Sequence, residues 1–187
     1  MMSRGDFFRG KQRTGKGWVE GYYVVKKNLF GREEHKIHQD CSGKDKPINY
    51  EYTDILPETL SRHLRNGNLS VWENEVYSWK SEWGICTGIV KYGNYIQDGS
   101  VGEYRGAKCY GFYIDVIRVC PLECTDLTQK EVEEFYPDYL KNVSIYYVFD
   151  ECHDVKLLGN IFDDPELLRD HSWCDRENYG FATEPNG

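Results

Sequence analysis

Alanine is nearly missing from this chain: Ala107 and Ala182 are its only two among 187 residues. The best helix former is therefore scarce, while 15 Tyr, 5 Trp and 8 Phe are present, and the composition leans towards β structure. Long apolar runs are missing as well. The longest, Ile145 to Phe149, fits a strand and falls far short of the ~20 residues needed to cross a bilayer, so no membrane association is expected. No apolar stretch follows Met1, so a cytoplasmic setting is expected, and seven Cys without an export signal read as reduced thiols. Basic charge is in short supply: 23 Lys and Arg stand against 31 Asp and Glu, for a net charge of −8. Phosphate contacts need a basic face, so nucleic acid is not the favoured partner. The exception is the N-terminal region, with Arg4, Arg9, Lys11, Arg13, Lys16, Lys26 and Lys27, whereas acid gathers later, from Glu131 to Glu166.

What is there is clearest between Thr87 and Asp115. Two runs rich in β-branched and aromatic residues, Thr87–Tyr95 and Lys108–Asp115, flank a polar link containing Gly99, Gly102 and Gly106. That pattern predicts paired strands joined by a long loop. The link lacks the Lys-Ser/Thr of a phosphate-binding loop, and no cofactor is expected.

The rest of the chain is read in order. Asp6 to Val25 predicts strand, turn, strand, with glycines 15 and 17 in the turn and apolar residues on both faces of the second strand. A short strand is expected around Lys36–Gln39, then a connector at Ser42–Pro47. Tyr50 to Leu64 is ambiguous between helix and extended chain, and Arg65-Asn66-Gly67-Asn68 is a turn. Val71 to Trp79 alternates as one amphipathic strand. Thr128 and Glu131 form a capping box, with Leu127 and Val132 as a staple, which predicts a helix ended near Pro137. Val143–Phe149 and Val155–Phe162 read as strands, and Asp164-Pro165 opens a helical turn.

Several of these segments together resemble the YopX-like proteins of phages and prophages. They are Phe8-Arg9-Gly10-Lys11, Trp18-Val19-Glu20-Gly21-Tyr22, Leu56-Pro57-Glu58-Thr59, Gly88-Ile89-Val90-Lys91-Tyr92-Gly93, Gly111-Phe112-Tyr113-Ile114 and Leu158 to Leu168. The chain departs from the usual family pattern at Trp72-Glu73-Asn74-Glu75-Val76, where Asn and Glu stand for Gly and Asp, and in the helix at Thr128. The resemblance implies a mainly β fold: an N-terminal β-rich part over residues 4–49 and a C-terminal SH3-like small barrel over 50–169. It leaves one short inserted helix near 125–140 and a flexible tail over 170–187. It also favours an extended Glu58–Leu64, and it brings no catalytic residues.

Chemistry-bearing groups are sparse. His35, His38 and Cys41 lie three apart, and Cys120, Cys124, Cys152 and His153 form a looser set, but neither has the paired spacing of a zinc site, and no metal is expected. Cys86 or Cys109 with His63 or His153 lacks any local nucleophile motif. The carboxylates Asp150, Glu151, Asp154, Asp163 and Asp164 read as a solvated edge rather than a cation site. A sharper candidate is a stacking surface of Tyr92, Tyr95, Tyr110 and Tyr113 flanked by Lys91, Arg105 and Lys108, whose plainer reading is sheet tyrosines. The sequence therefore points to a non-enzymatic phage or prophage accessory protein that binds a protein partner of host or phage, with self-association also open. The alternative is a nucleic-acid-binding module of phage DNA metabolism.

Overall fold

A computed structural model describes residues 6–15, 17–40, 50–81, 84–97, 106–121 and 142–169. The expected helix near 125–140, the connector at 42–47, the link residues 98–105 and the tail at 170–187 lie outside them. The chain is mainly β, with two antiparallel sheets and one short α-helix among the described residues. It divides into two units, residues 1–72 and 73–187. The first carries 13 Lys and Arg against 9 Asp and Glu, a net of +4, and the second 10 against 22, a net of −12.

The first unit is one six-stranded sheet, β4-β3-β2-β1-β5-β6. Its strands are β1 (Phe8–Lys11), β2 (Trp18–Lys27), β3 (Glu33–Asp40), β4 (Tyr50–Asp54), β5 (Ser61–Asn66) and β6 (Leu69–Trp72). The unit therefore reaches past residue 49, where the sequence placed a boundary, because β4 to β6 hydrogen-bond into the same sheet. The far end of β4 also returns to β1: Gln12 bridges Ile55, Arg13 N–H donates to the Asp54 carbonyl at 2.9 Å, and Leu56 N–H donates to the Lys11 carbonyl at 2.9 Å. Strands β1 to β4 thus close around Val19, Ile37 and Ile55, with Phe8, Tyr23 and Leu60 packed on them. So tight a turn of the sheet needs glycine at position 21, where a Cβ would sit 2.3 Å from the His38 carbonyl oxygen. The expected cover on both faces of β2 is not found, since Tyr22 and Val25 are both exposed. Pro57–Thr59 forms a 3-10 turn held by Thr59 Oγ1 to the Leu56 carbonyl, so the extended segment begins only at Ser61. Gly67, at φ +58°, and Asn68 make the two-residue turn between β5 and β6, inside the expected turn Arg65–Asn68.

The second unit is a five-stranded sheet, β10-β9-β8-β7-β11. It comprises β7 (Glu75–Ser81), β8 (Gly84–Ile96), β9 (Lys108–Pro121), β10 (Asn142–Ser144) and β11 (His153–Asn160). The expected strand Val71–Trp79 is two strands, broken where Asn74 turns at φ +71°. Small polar residues tolerate that left-handed conformation better than branched ones do. The expected strand Val143–Phe149 is also corrected: only Asn142–Ser144 is extended, and Ile145–Glu151 forms helix α1. Ile145 and Val148, three apart, are both fully buried, a helical spacing that the β-rich composition of the run masks. They join Val76, Trp79, Val90, Ile114 and Val119 in the core. No helix among the described residues is long and apolar enough to cross a membrane.

Candidate binding surfaces

The tyrosines singled out in the sequence fall on the β8–β9 pair, which is antiparallel throughout as expected. Strand β7 accompanies β8 only as far as Ile89, and β10 accompanies β9 only from Tyr113 to Asp115. Beyond these, Tyr92–Ile96 and Lys108–Phe112 continue as a two-stranded ribbon, with no third strand among the described residues.

The register splits the predicted platform. Tyr92 lies opposite Phe112, Asn94 opposite Tyr110, and Val90 opposite Ile114, which puts Tyr92, Tyr110 and Phe112 on one face. Tyr92 meets Tyr110 edge-on at 5.2 Å and Phe112 at 5.0 Å. Lys91, Tyr95, Cys109 and Tyr113 belong to the opposite face, where Tyr95 stacks on Tyr113 at 4.7 Å. Gly93 and Gly111 face each other there, leaving open space beside the stack. Burial, with lesser help from Cys109 and Tyr146, raises the Tyr95 hydroxyl above its ordinary value. The cations do not assemble around the rings. Lys91 is ion-paired with Asp115, Lys108 is exposed at the ribbon end, and Arg105 lies outside the described residues. Tyr110 and Ile96, on the Tyr92 face, are the most exposed apolar side chains of the ribbon.

A second surface, missed in the sequence, crosses the first unit. Tyr22 lies opposite His38, and His38 opposite Tyr52. Phe8 pairs with Gly21 and with Arg62, so Phe7 extends the same row between Tyr22 and His63, and His63 lies opposite Trp72. Six rings from six chain segments therefore stand in one cross-strand row: Tyr52, His38, Tyr22, Phe7, His63 and Trp72. Their contacts are continuous. His38 stacks on Tyr52 at 5.0 Å, Tyr22 lies 6.5 Å from His38, Phe7 meets Tyr22 edge-on at 5.9 Å, and His63 stacks on Trp72 at 4.2 Å. The row grades from Tyr52 and Tyr22, 45% and 44% exposed, to the buried Trp72.

Cations sit on both sides of this row. The Arg9 guanidinium lies 4.8 Å from the Trp18 and Trp72 ring centres, and the Lys11 ammonium 5.7 Å from Trp18. On the other side the Lys26 ammonium covers Tyr52 at 3.4 Å. These rings hold cations by their negative faces. Lys36, on the same face, is engaged by Glu34 and Asp54, and its hydrogen bonds to them raise its pKa. Only the register reveals the row; the one local sign is the aromatic-basic alternation Phe7-Phe8-Arg9-Gly10-Lys11.

The other candidate groups do not converge. His35 and His38, three apart on one strand, point to opposite faces: Tyr23 Oη hydrogen-bonds His35 Nδ1 at 2.5 Å, while His38 stacks on Tyr52. Cys41 and Cys124 lie outside the described residues, among which no three His, Cys, Asp or Glu side chains gather to hold a metal. Cys86, Cys109 and Cys152 are thiols, as expected, whereas Cys120 departs from that expectation in being disulfide-bonded. Burial pushes the Cys86 thiol up to about 12, the opposite of an activated nucleophile. His63 Nε2 is instead 2.9 Å from Ser70 Oγ. No protein-family model matches the chain, and neither a curated protein nor a solved structure matches it.

Proposed function

We propose that the chain is a non-catalytic binding module of the YopX-like phage and prophage type, acting in the cytoplasm as an accessory protein that engages a protein partner through its second unit. The observation that carries this reading is the β8–β9 ribbon. It runs past its neighbouring strands, presents Tyr110 and Ile96 at 67% and 53% exposure, and belongs to a unit of net charge −12. Exposed strand edges accept another chain's backbone, and exposed aromatic side chains anchor interfaces. An acidic unit repels nucleic-acid phosphate and attracts a basic protein surface.

The test is capture of partners from phage-infected or prophage-induced cells by the tagged chain. The expected result is one stoichiometric partner, lost with Tyr110→Asp and Ile96→Asp together and kept with Tyr22→Leu. Equal capture by all three proteins overturns the reading. A second reading, nucleic-acid binding, is favoured by a different surface, the ring row of the first unit.

A further inference from the structure

We infer that the outer face of the first unit binds single-stranded nucleic acid, its bases stacking on the ring row and its phosphates lying on the flanking cations. This is separate from the ribbon of the second unit and does not depend on it. Register places the row and its cations on one face, because Phe7, Arg9 and Lys11 alternate along β1 as Trp18, Tyr22 and Lys26 do along β2. The sheet keeps its aliphatic residues Val19, Ile37 and Ile55 inside, with Phe8 and Tyr23 packed on them, and puts the six-ring row on its other face. Such a face costs hydration of apolar surface when free, so it marks a contact surface rather than a core.

The occupant is decided by charge. The unit carries a net +4 in a chain of net −8. Among the described side chains, register puts Arg9, Lys11, Lys26, Lys36 and Arg65 on the row's face with the acids Glu20, Glu34 and Asp54. Cations therefore outnumber acids there, Arg9 and Lys11 on one side of the row and Lys26 on the other. A polyanion with flat apolar groups satisfies both features. Neutral peptides and sugars do not answer the positive charge of this face. Duplex DNA hides the faces of its bases, so a stacking surface selects single strands. Tyr52 and Tyr22 are the accessible rings, and the ammonium over Tyr52 rides on a flexible four-carbon stem that can move to a phosphate when a base takes its place. Trp72, at 9% exposure, anchors the buried end of the row instead of offering a face.

The test is fluorescence anisotropy of labelled oligothymidine of about 12 nucleotides, titrated with the full chain at about 50 mM salt. Binding is expected, with log Kd rising against log salt at a slope of about 2, from ~0.7 for each of three cations on a single strand. Tyr22→Leu with Tyr52→Leu is expected to weaken binding by about fivefold to a hundredfold per ring lost. Lys26→Gln is expected to flatten the slope by about 0.7, while Tyr110→Leu leaves binding unchanged. Both tyrosines are half exposed, and unchanged far-ultraviolet circular dichroism will confirm that the double variant folds. Three results overturn the inference: no anisotropy change at about 100 µM protein, duplex bound as tightly as single strand, or affinity indifferent to the two tyrosine substitutions.

Discussion

The two units are both antiparallel β structures, yet they place their aromatic residues differently. In the first, Phe8 and Tyr23 pack on the buried aliphatic residues Val19, Ile37 and Ile55, and six further rings stand on the other face in a row among charged residues. In the second, the interior holds Trp79 with Val76, Val90, Ile114, Val119, Ile145 and Val148, and the surface is acidic. The comparison teaches that aromatic content alone does not locate a binding face. What matters is which side of the pleat the rings occupy and what charge lies beside them. That criterion is the basis for the two proposals, a polyanion for the first unit and a protein for the second.

The sharpest difference concerns how dry the interior of the second unit is. The Cys86 thiol, near 12 when folded against 9 when unfolded, has a thiolate fraction at pH 8 roughly a thousandfold below that of an ordinary thiol. Alkylation followed by mass spectrometry is therefore expected to label Cys109 and Cys152 well before Cys86. Because the folded chain holds this proton longer, its contribution to stability is complete below pH 9 and is lost as pH climbs towards about 12. Urea midpoints measured across that window should fall. Cys86 labelled as fast as Cys109 would show the core to be open.

Next in size is the loss of the ring inside the second unit. Trp79→Ala removes a fully buried indole and is expected to cost about 3–5 kcal/mol in denaturant unfolding. Tyr22→Leu, on the outer face of the first unit, is expected to stay within about 1 kcal/mol. Equal costs would erase the distinction between inside and outside rings.

A smaller effect tests the tight curl of the first unit. Gly21→Ala puts a Cβ against the His38 carbonyl oxygen at a φ of +158°, and is expected to cost about 1–3 kcal/mol from the backbone alone, before any steric shift. A melting temperature unchanged from wild type would mean that β2 and β3 are not so close. Smallest of all is the ribbon's ion pair. Lys91 and Asp115 are each more than a third exposed on their side chains, so Asp115→Asn is expected to cost no more than about 1 kcal/mol. A larger loss would make this pair a structural element rather than a surface one.

Much of this architecture was legible in the sequence, and the failures share a cause. The β8–β9 pair was plain because its runs of Ile, Val and Tyr are bounded by glycine. The turn at Gly67 was equally plain, since glycine takes up the left-handed backbone such a tight turn needs. Helix α1 was missed because Ile145 to Phe149 is made wholly of residues that favour strands, and only the burial of Ile145 with Val148 discloses the helical period. The break between β6 and β7 was missed because alternation continues across Asn74. Ring rows escape sequence reading for a deeper reason. Tyr52, His38, Tyr22, Phe7, His63 and Trp72 are brought together by register, and register is not written in any one segment. The tyrosines of β8 and β9 were grouped by closeness in sequence, and the pleat sends them to two faces.

The proposed division of labour between the units is tested most directly by mapping where a single strand lands. In a proton–nitrogen correlation spectrum of the full chain titrated with oligothymidine of about 12 nucleotides, shifts are expected in the first unit, largest at Tyr22, His38 and Tyr52. Shifts confined to Tyr92–Ile96 and Lys108–Phe112, with the first unit unmoved, would contradict the account.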